Sequence, residues 1–214
     1  MCELNLKKAK HDIEEVLKDP ALKIKYQIEL YADLMRIIQI NEKITPIVRY
    51  AYERYYGMNQ AGIDIIWKNN YFDIANDIFR KPKDTIRSLT LKDLLIEIGP
   101  CGKSVQPSFV SKLLHTLNDN EPIYDSCVRT FLGIGNPKGN TTEARMESAV
   151  YIYEKEIKDG FYENDKYIEL RKMMLKIFDK KYSVGVDVSD VKKLDFVIWA
   201  MGKRNRCILE FDTY

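Results

Sequence analysis

Residues 108–132 read SFVSKLLHTLNDNEPIYDSCVRTFL. Phe109, Val110, Leu113, Leu114 and Leu117 recur on one face of an α-helix. Residues 118–122 then stop that helix, because Asn, Asp and Pro all disfavour its continuation. Asp125 stands where the next helix opens. Its carboxylate suits an N-cap, accepting the unpaired backbone N–H groups of the following turn. Val128, Phe131 and Leu132 continue as a short apolar face.

Upstream, Thr90 caps a helix over 91–98 that Gly99-Pro100 ends sharply. With a second helix over 107–117 it forms a pair joined by a glycine-containing turn. Further upstream the pattern predicts helices over 10–18, 21–40, 42–56, 61–69 and 70–80. Downstream, the clearest loop of the chain occupies 133–140. It is followed by predicted helices over 142–158, ended by Gly160, over 164–180 and over 189–201. Residues 183–188 read as extended, and 206–214 as a short strand or packed coil. The fold class expected is all-α.

An apolar helix, a polar break and an apolar-Asp-Ser-x-Val-Arg segment opening a second helix resembles the helix-hairpin-helix superfamily of base-excision DNA glycosylases. That superfamily includes the endonuclease III and 8-oxoguanine DNA glycosylase branches. The resemblance covers residues 89–132, thins in the C-terminal helices and is weakest in the first 60 residues. It implies a two-lobed helical bundle. Residues 81–140 would form the lobe carrying the hairpin, and 1–80 with 141–214 the other, unless the two merge into one compact domain. It also implies excision of a damaged or modified base from double-stranded DNA through a flipped-out nucleotide. The target would be an oxidised or alkylated repair lesion, or a modified base of phage DNA in antiviral defence.

On this resemblance Asp125 is the catalytic carboxylate, with Val128 and Arg129 at the matching offsets. Such a carboxylate stabilises the cationic sugar as the base departs, or activates water. The family's nucleophilic lysine has two candidates. Lys103 follows the hairpin glycines and stands 22 residues before Asp125. Lys112 lies within the next helix, off its apolar face. With neither lysine in register, water would attack and leave an abasic site. The hairpin departs from the family pattern. Its glycines, Gly99 and Gly102, stand three apart, and Val105-Gln106-Pro107 intervenes before the helix. Gly99, Gly102, Lys103 and Ser104 are nonetheless the candidates to bind a DNA phosphate through backbone N–H groups. Tyr52, Tyr56, Trp67 and Tyr71 are candidate walls for a flipped base. Helical aromatics more commonly pack a core, and His115 reads as an ordinary, partly buried histidine.

Composition constrains other classes. The formal charge of +2 is mild. Basic residues nevertheless cluster over 80–92 and 192–206, which suits a phosphate track or two solvated helix ends. Cys2, Cys101, Cys127 and Cys207 are scattered, without the spacing of a zinc, redox or iron–sulfur site. With two histidines in the chain, a histidine-rich metal site is not expected, and neither is a cofactor. The first residues lack the apolar core of a signal peptide, and no apolar run approaches ~18 residues, so a cytoplasmic monomer away from membranes is expected. The alternative from another class is a non-catalytic helical DNA-binding or interaction protein that keeps the fold. The altered hairpin and the low charge favour it. The Pro-Ile-Tyr-Asp-Ser-x-Val-Arg block favours the enzyme.

Overall fold

The computed structural model describes residues 6–182 and 188–205. Its helices are α1 (Leu6–Lys18), α2 (Ile24–Asn41), α3 (Pro46–Tyr55), α4 (Ile65–Phe79), α5 (Lys83–Arg87), α6 (Leu91–Ile98), α7 (Pro107–Leu117), α8 (Ser126–Leu132), α9 (Thr142–Tyr151), α10 (Ile168–Lys181) and α11 (Asp190–Lys203). The described residues form no strand, and the chain is all-α as expected. None of their helices is long and apolar enough to cross a membrane.

Helix boundaries follow local chemistry. Thr90 and Asp93 form a reciprocal capping box that starts α6, and Gly99, at φ 75°, ends it. Pro107 opens α7 from the first turn, where a missing N–H costs nothing. Both helices span the residues expected. Elsewhere the boundaries move. Pro20–Leu22 make a 3-10 turn and Lys23 is left-handed, so α2 starts only at Ile24. Glu42 is also left-handed, and α3 waits for the Thr45 cap and Pro46. The two short helices expected over 61–80 are one helix, α4, started by Asp64 accepting from Ile66 and Trp67. Asn69-Asn70 does not break it, because Asn70 Nδ2 donates to the Ile98 carbonyl instead of to its own backbone.

Gly160 is not a stop either. Beyond α9 the chain widens into a π-helical stretch, Ile152–Tyr162, that runs through Gly160. A Cβ there would sit 2.9 Å from the Lys155 carbonyl oxygen, so the wide turn needs the glycine. The stretch buries Ile152, Tyr153, Ile157 and Phe161, and that apolar burial outweighs the looser winding. Residues 183–187, expected to be extended, and 206–214, expected to be a short strand or packed coil, lie outside the described residues, as do Cys2 and Cys207. Val188 belongs to no regular element.

One continuous cluster of buried side chains runs through the described helices. Ile28 and Tyr52 share it with Leu113, Val128 and Ile198, so it includes residues from both groups assigned to separate lobes. Helix α11 is the axis of this packing, set against α8 and also against α1 and α10.

His115 of α7 is a buried polar member of this core. Its Nδ1 donates to the Glu121 carbonyl at 2.7 Å, and its Nε2 accepts from the Tyr31 hydroxyl at 3.0 Å. Burial, and secondarily Lys192, push its pKa down to about 3. Because the folded value lies below the unfolded one, the neutral ring's stability is complete above ~pH 6.5 and is lost as pH falls toward 3. Urea denaturation should therefore show about 2 kcal/mol less stability at pH 5 than at pH 7 from this group. His115→Gln should flatten that difference. An equal pH dependence in both proteins would contradict this assignment.

Candidate active site

Asp125 is the N-cap of α8. Its Oδ1 accepts from the backbone N–H groups of Cys127 and Val128 at 2.9 and 3.0 Å. One carboxylate oxygen thus fastens the helix and fixes the side chain. The other, Oδ2, faces the Lys112 ammonium at 4.0 Å. Both side chains are mostly buried, at 12% exposure for Lys112 and 16% for Asp125. They line a cleft of about 340 Å³. That volume falls within the ~300–1,000 Å³ typical of ligand pockets.

Lys112 projects from α7 on the side away from the apolar face. Its Nζ lies 3.4 Å from Ser108 Oγ, 5.2 Å from the centre of the Phe109 ring and 5.6 Å from that of Tyr56. Burial holds its pKa below the ordinary lysine range, and Lys192 adds to that, while Asp125 and Asp195 oppose it. A buried amine of this kind is a better nucleophile near neutrality than a surface lysine.

The opposite wall comes from α11. Lys192 donates to Asp195 Oδ2 at 2.6 Å, with both side chains almost wholly buried. The Lys192 ammonium also sits 4.6 and 4.8 Å from the ring centres of Tyr31 and Phe196. Trp199 stands one turn beyond Asp195, with Lys203 Nζ 5.9 Å from its ring centre. Gln27, Arg54 and Gln60 complete the rim. These α11 residues were missed as site residues in the sequence reading, although the signal was there. Lys192 and Asp195 are oppositely charged and three residues apart beside the apolar run Phe196–Trp199, a pattern that needs an internal partner or a cavity.

The aromatic candidates divide. Tyr56 lines the cleft, and its hydroxyl is buried without a hydrogen-bond partner among the described residues. Tyr52, Trp67 and Tyr71 do not reach the cleft. Tyr52 and Tyr71 are fully buried, their hydroxyls 2.9 Å apart, and Tyr71 donates to the Phe109 carbonyl. Trp67 is buried and donates through Nε1 to the Gly99 carbonyl. Their polar ends are satisfied within the core, so they support the site from behind.

The hairpin candidates lie apart from this pair. Cys101 and Ser104 exchange two backbone hydrogen bonds, which closes a tight turn with Gly102 at φ 59° and Lys103 at its tip. Gly102, Lys103 and Ser104 are exposed. The turn is tied down by Trp67 and by Arg145, whose Nη2 donates to the Lys103 carbonyl at 2.9 Å. Lys103 does not line the Asp125 cleft. Of the two lysines, Lys112 is the one placed with the carboxylate.

Cys127, next to the cap, is buried, and burial raises its pKa to about 11, so it is held as a neutral thiol. No protein-family model, no curated protein and no solved structure matches the chain.

Proposed function

We propose that the protein is a DNA glycosylase that excises a damaged or modified base, with Asp125 and Lys112 as the reacting pair. The observation that carries this is the second carboxylate oxygen of a rigidly capped Asp125 facing a largely buried lysine amine at 4.0 Å in the wall of one cleft. A flipped nucleotide would enter between α7 and α11. Asp125 would stabilise the positive charge that grows on the sugar as the bond to the base breaks. The base leaves with the electron pair of that bond. Neutral Lys112 attacks C1′, and its proton passes to the departing base. The sugar ring then opens as the C1′–O4′ bond breaks with its electron pair on O4′, which takes the second amine proton, and the imine so formed permits strand cleavage. Tyr56 and Trp199 offer apolar walls for the base, and the Lys192–Asp195 pair offers donors and acceptors for its edge. The exposed turn at Gly102–Ser104 is suited to a backbone phosphate of the duplex.

The test is incubation with duplexes carrying a panel of oxidised, alkylated and phage-type modified bases, followed by alkali. Wild type should give strand breaks on at least one member. Asp125→Asn should give a signal lower by about 10²-fold or more. Asparagine caps a helix about as well as aspartate, so this change removes the charge without unseating α8. Equal signal from both proteins would remove Asp125 from the chemistry.

A further inference from the structure

Helices α1 and α10 enclose a second groove of about 730 Å³ that shares no lining residue with the cleft. Six lysines line it: Lys10, Lys18, Lys172, Lys176, Lys180 and Lys181. Against them stand Glu14 and Glu169. The local excess of four positive charges is larger than the +2 of the whole chain, so the rest of the molecule is net acidic. Much of the α1 charge is already matched, with Lys10 near Glu14 and Lys18 bonded to Glu15, and on α10 Lys172 pairs with Glu169. Among the described residues, no carboxylate forms an ion pair with Lys176, Lys180 or Lys181. Lys181 is further crowded, its pKa lowered by burial and by Lys18 against a smaller opposing pull from Glu15.

Lys172, Lys176 and Lys180 recur every four residues, which places them as rungs ~6 Å apart along α10. Met173 and Ile177 form a half-buried floor beside them. A row of cations over a concave floor fits a linear polyanion. A membrane surface instead favours apolar side chains that project beyond the charges, and here Met173 and Ile177 are recessed.

We propose that this groove is a second nucleic-acid contact, which binds a sugar-phosphate backbone outside the cleft through Lys176, Lys180 and Lys181. The choice of nucleic acid among linear polyanions rests on the glycosylase reading. The contact would hold the protein on undamaged DNA without reference to sequence, as phosphate neutralisation does.

The test is fluorescence anisotropy with a short unmodified duplex over a series of salt concentrations, alongside flotation with vesicles of phosphatidylserine and phosphatidylcholine. The proteins are wild type, Lys176→Gln/Lys180→Gln, and Lys43→Gln/Lys155→Gln, which makes the same charge change on exposed positions outside the groove. The groove variant should reduce the slope of log K against log salt by about 2, and the control should not. Base release at saturating DNA should be the same in all three. Equal slopes in both variants, or wild type that binds vesicles and not duplex, would overturn the proposal. A slope difference that persists where no base is released would support the groove and count against the glycosylase reading instead.

Discussion

Lys112→Gln should abolish covalent trapping on DNA and slow base release by about 10²–10⁴-fold in single-turnover assays. The affinity for unreacted DNA should change little, because the amine is buried in the cleft wall and only 12% exposed. Stability should change little, because relief of the charge that burial penalises is offset by leaving Asp125 Oδ2 without its cationic partner. A purely structural lysine would show the reverse pair of effects, lost stability with retained chemistry. The pH profile adds a second readout. Because the folded pKa is lowered, the neutral amine appears at lower pH than for a surface lysine. The rising limb of the rate should therefore lie below the ordinary lysine range. Lys103→Ala should leave both the limb and the trapping unchanged and weaken DNA binding modestly, as expected for a residue at the exposed hairpin tip.

Gly202→Ala is expected to be the most destabilising small substitution in the protein. Gly202 of α11 lies directly on the backbone of Cys127 in α8. A Cβ there would fall 2.3 Å from the Cys127 carbonyl oxygen and 2.6 Å from its Cα. Every clashing atom belongs to the main chain, so no side chain can swing away and the two helices must separate. Alanine gains helix propensity of about 1 kcal/mol over glycine, but overpacking against backbone costs more. A net loss of roughly 2–4 kcal/mol follows, and a fall in Tm of roughly 5–15 °C. Separation also moves Asp125, the cap of α8, away from the α11 wall, so residual folded protein should be less active. Gly135→Ala, with nothing near the added methyl, is the control and should be nearly neutral. An unchanged Tm for Gly202→Ala would show that α8 and α11 do not meet as closely as described.

The parts of this protein that were legible in the sequence are those decided by neighbours in the chain. Thr90, Gly99 and Pro107 mark the ends of α6 and α7, and Asp125 marks the start of α8, because caps and prolines act within one turn. Asn69-Asn70 misled because asparagine breaks a helix only when its amide turns on its own backbone, and here Asn70 is occupied by Ile98. Gly160 misled because a glycine can also serve a wide helical turn. The site was half visible. Asp125 could be read from its cap position and from the residues around it. Lys103 drew notice because it follows the glycines, whereas the pairing of Lys112 with Asp125 depends on how α7 turns relative to α8. Tyr52 and Tyr56 are one turn apart on the same stretch, and only packing against α4 decides that the first is sealed and the second borders the cleft. The α11 wall is more remote still. Nothing local brings Lys192, Asp195 and Trp199 to Lys112, since long-range packing places them there.

The most direct test of the Asp125–Lys112 pair is borohydride trapping on a modified-base duplex, followed by mass spectrometry of the proteolysed adduct. One DNA-linked peptide, modified at Lys112, is expected from wild type, and none from Lys112→Gln. An adduct mapped to Lys103, or base release with no adduct at all, would contradict it.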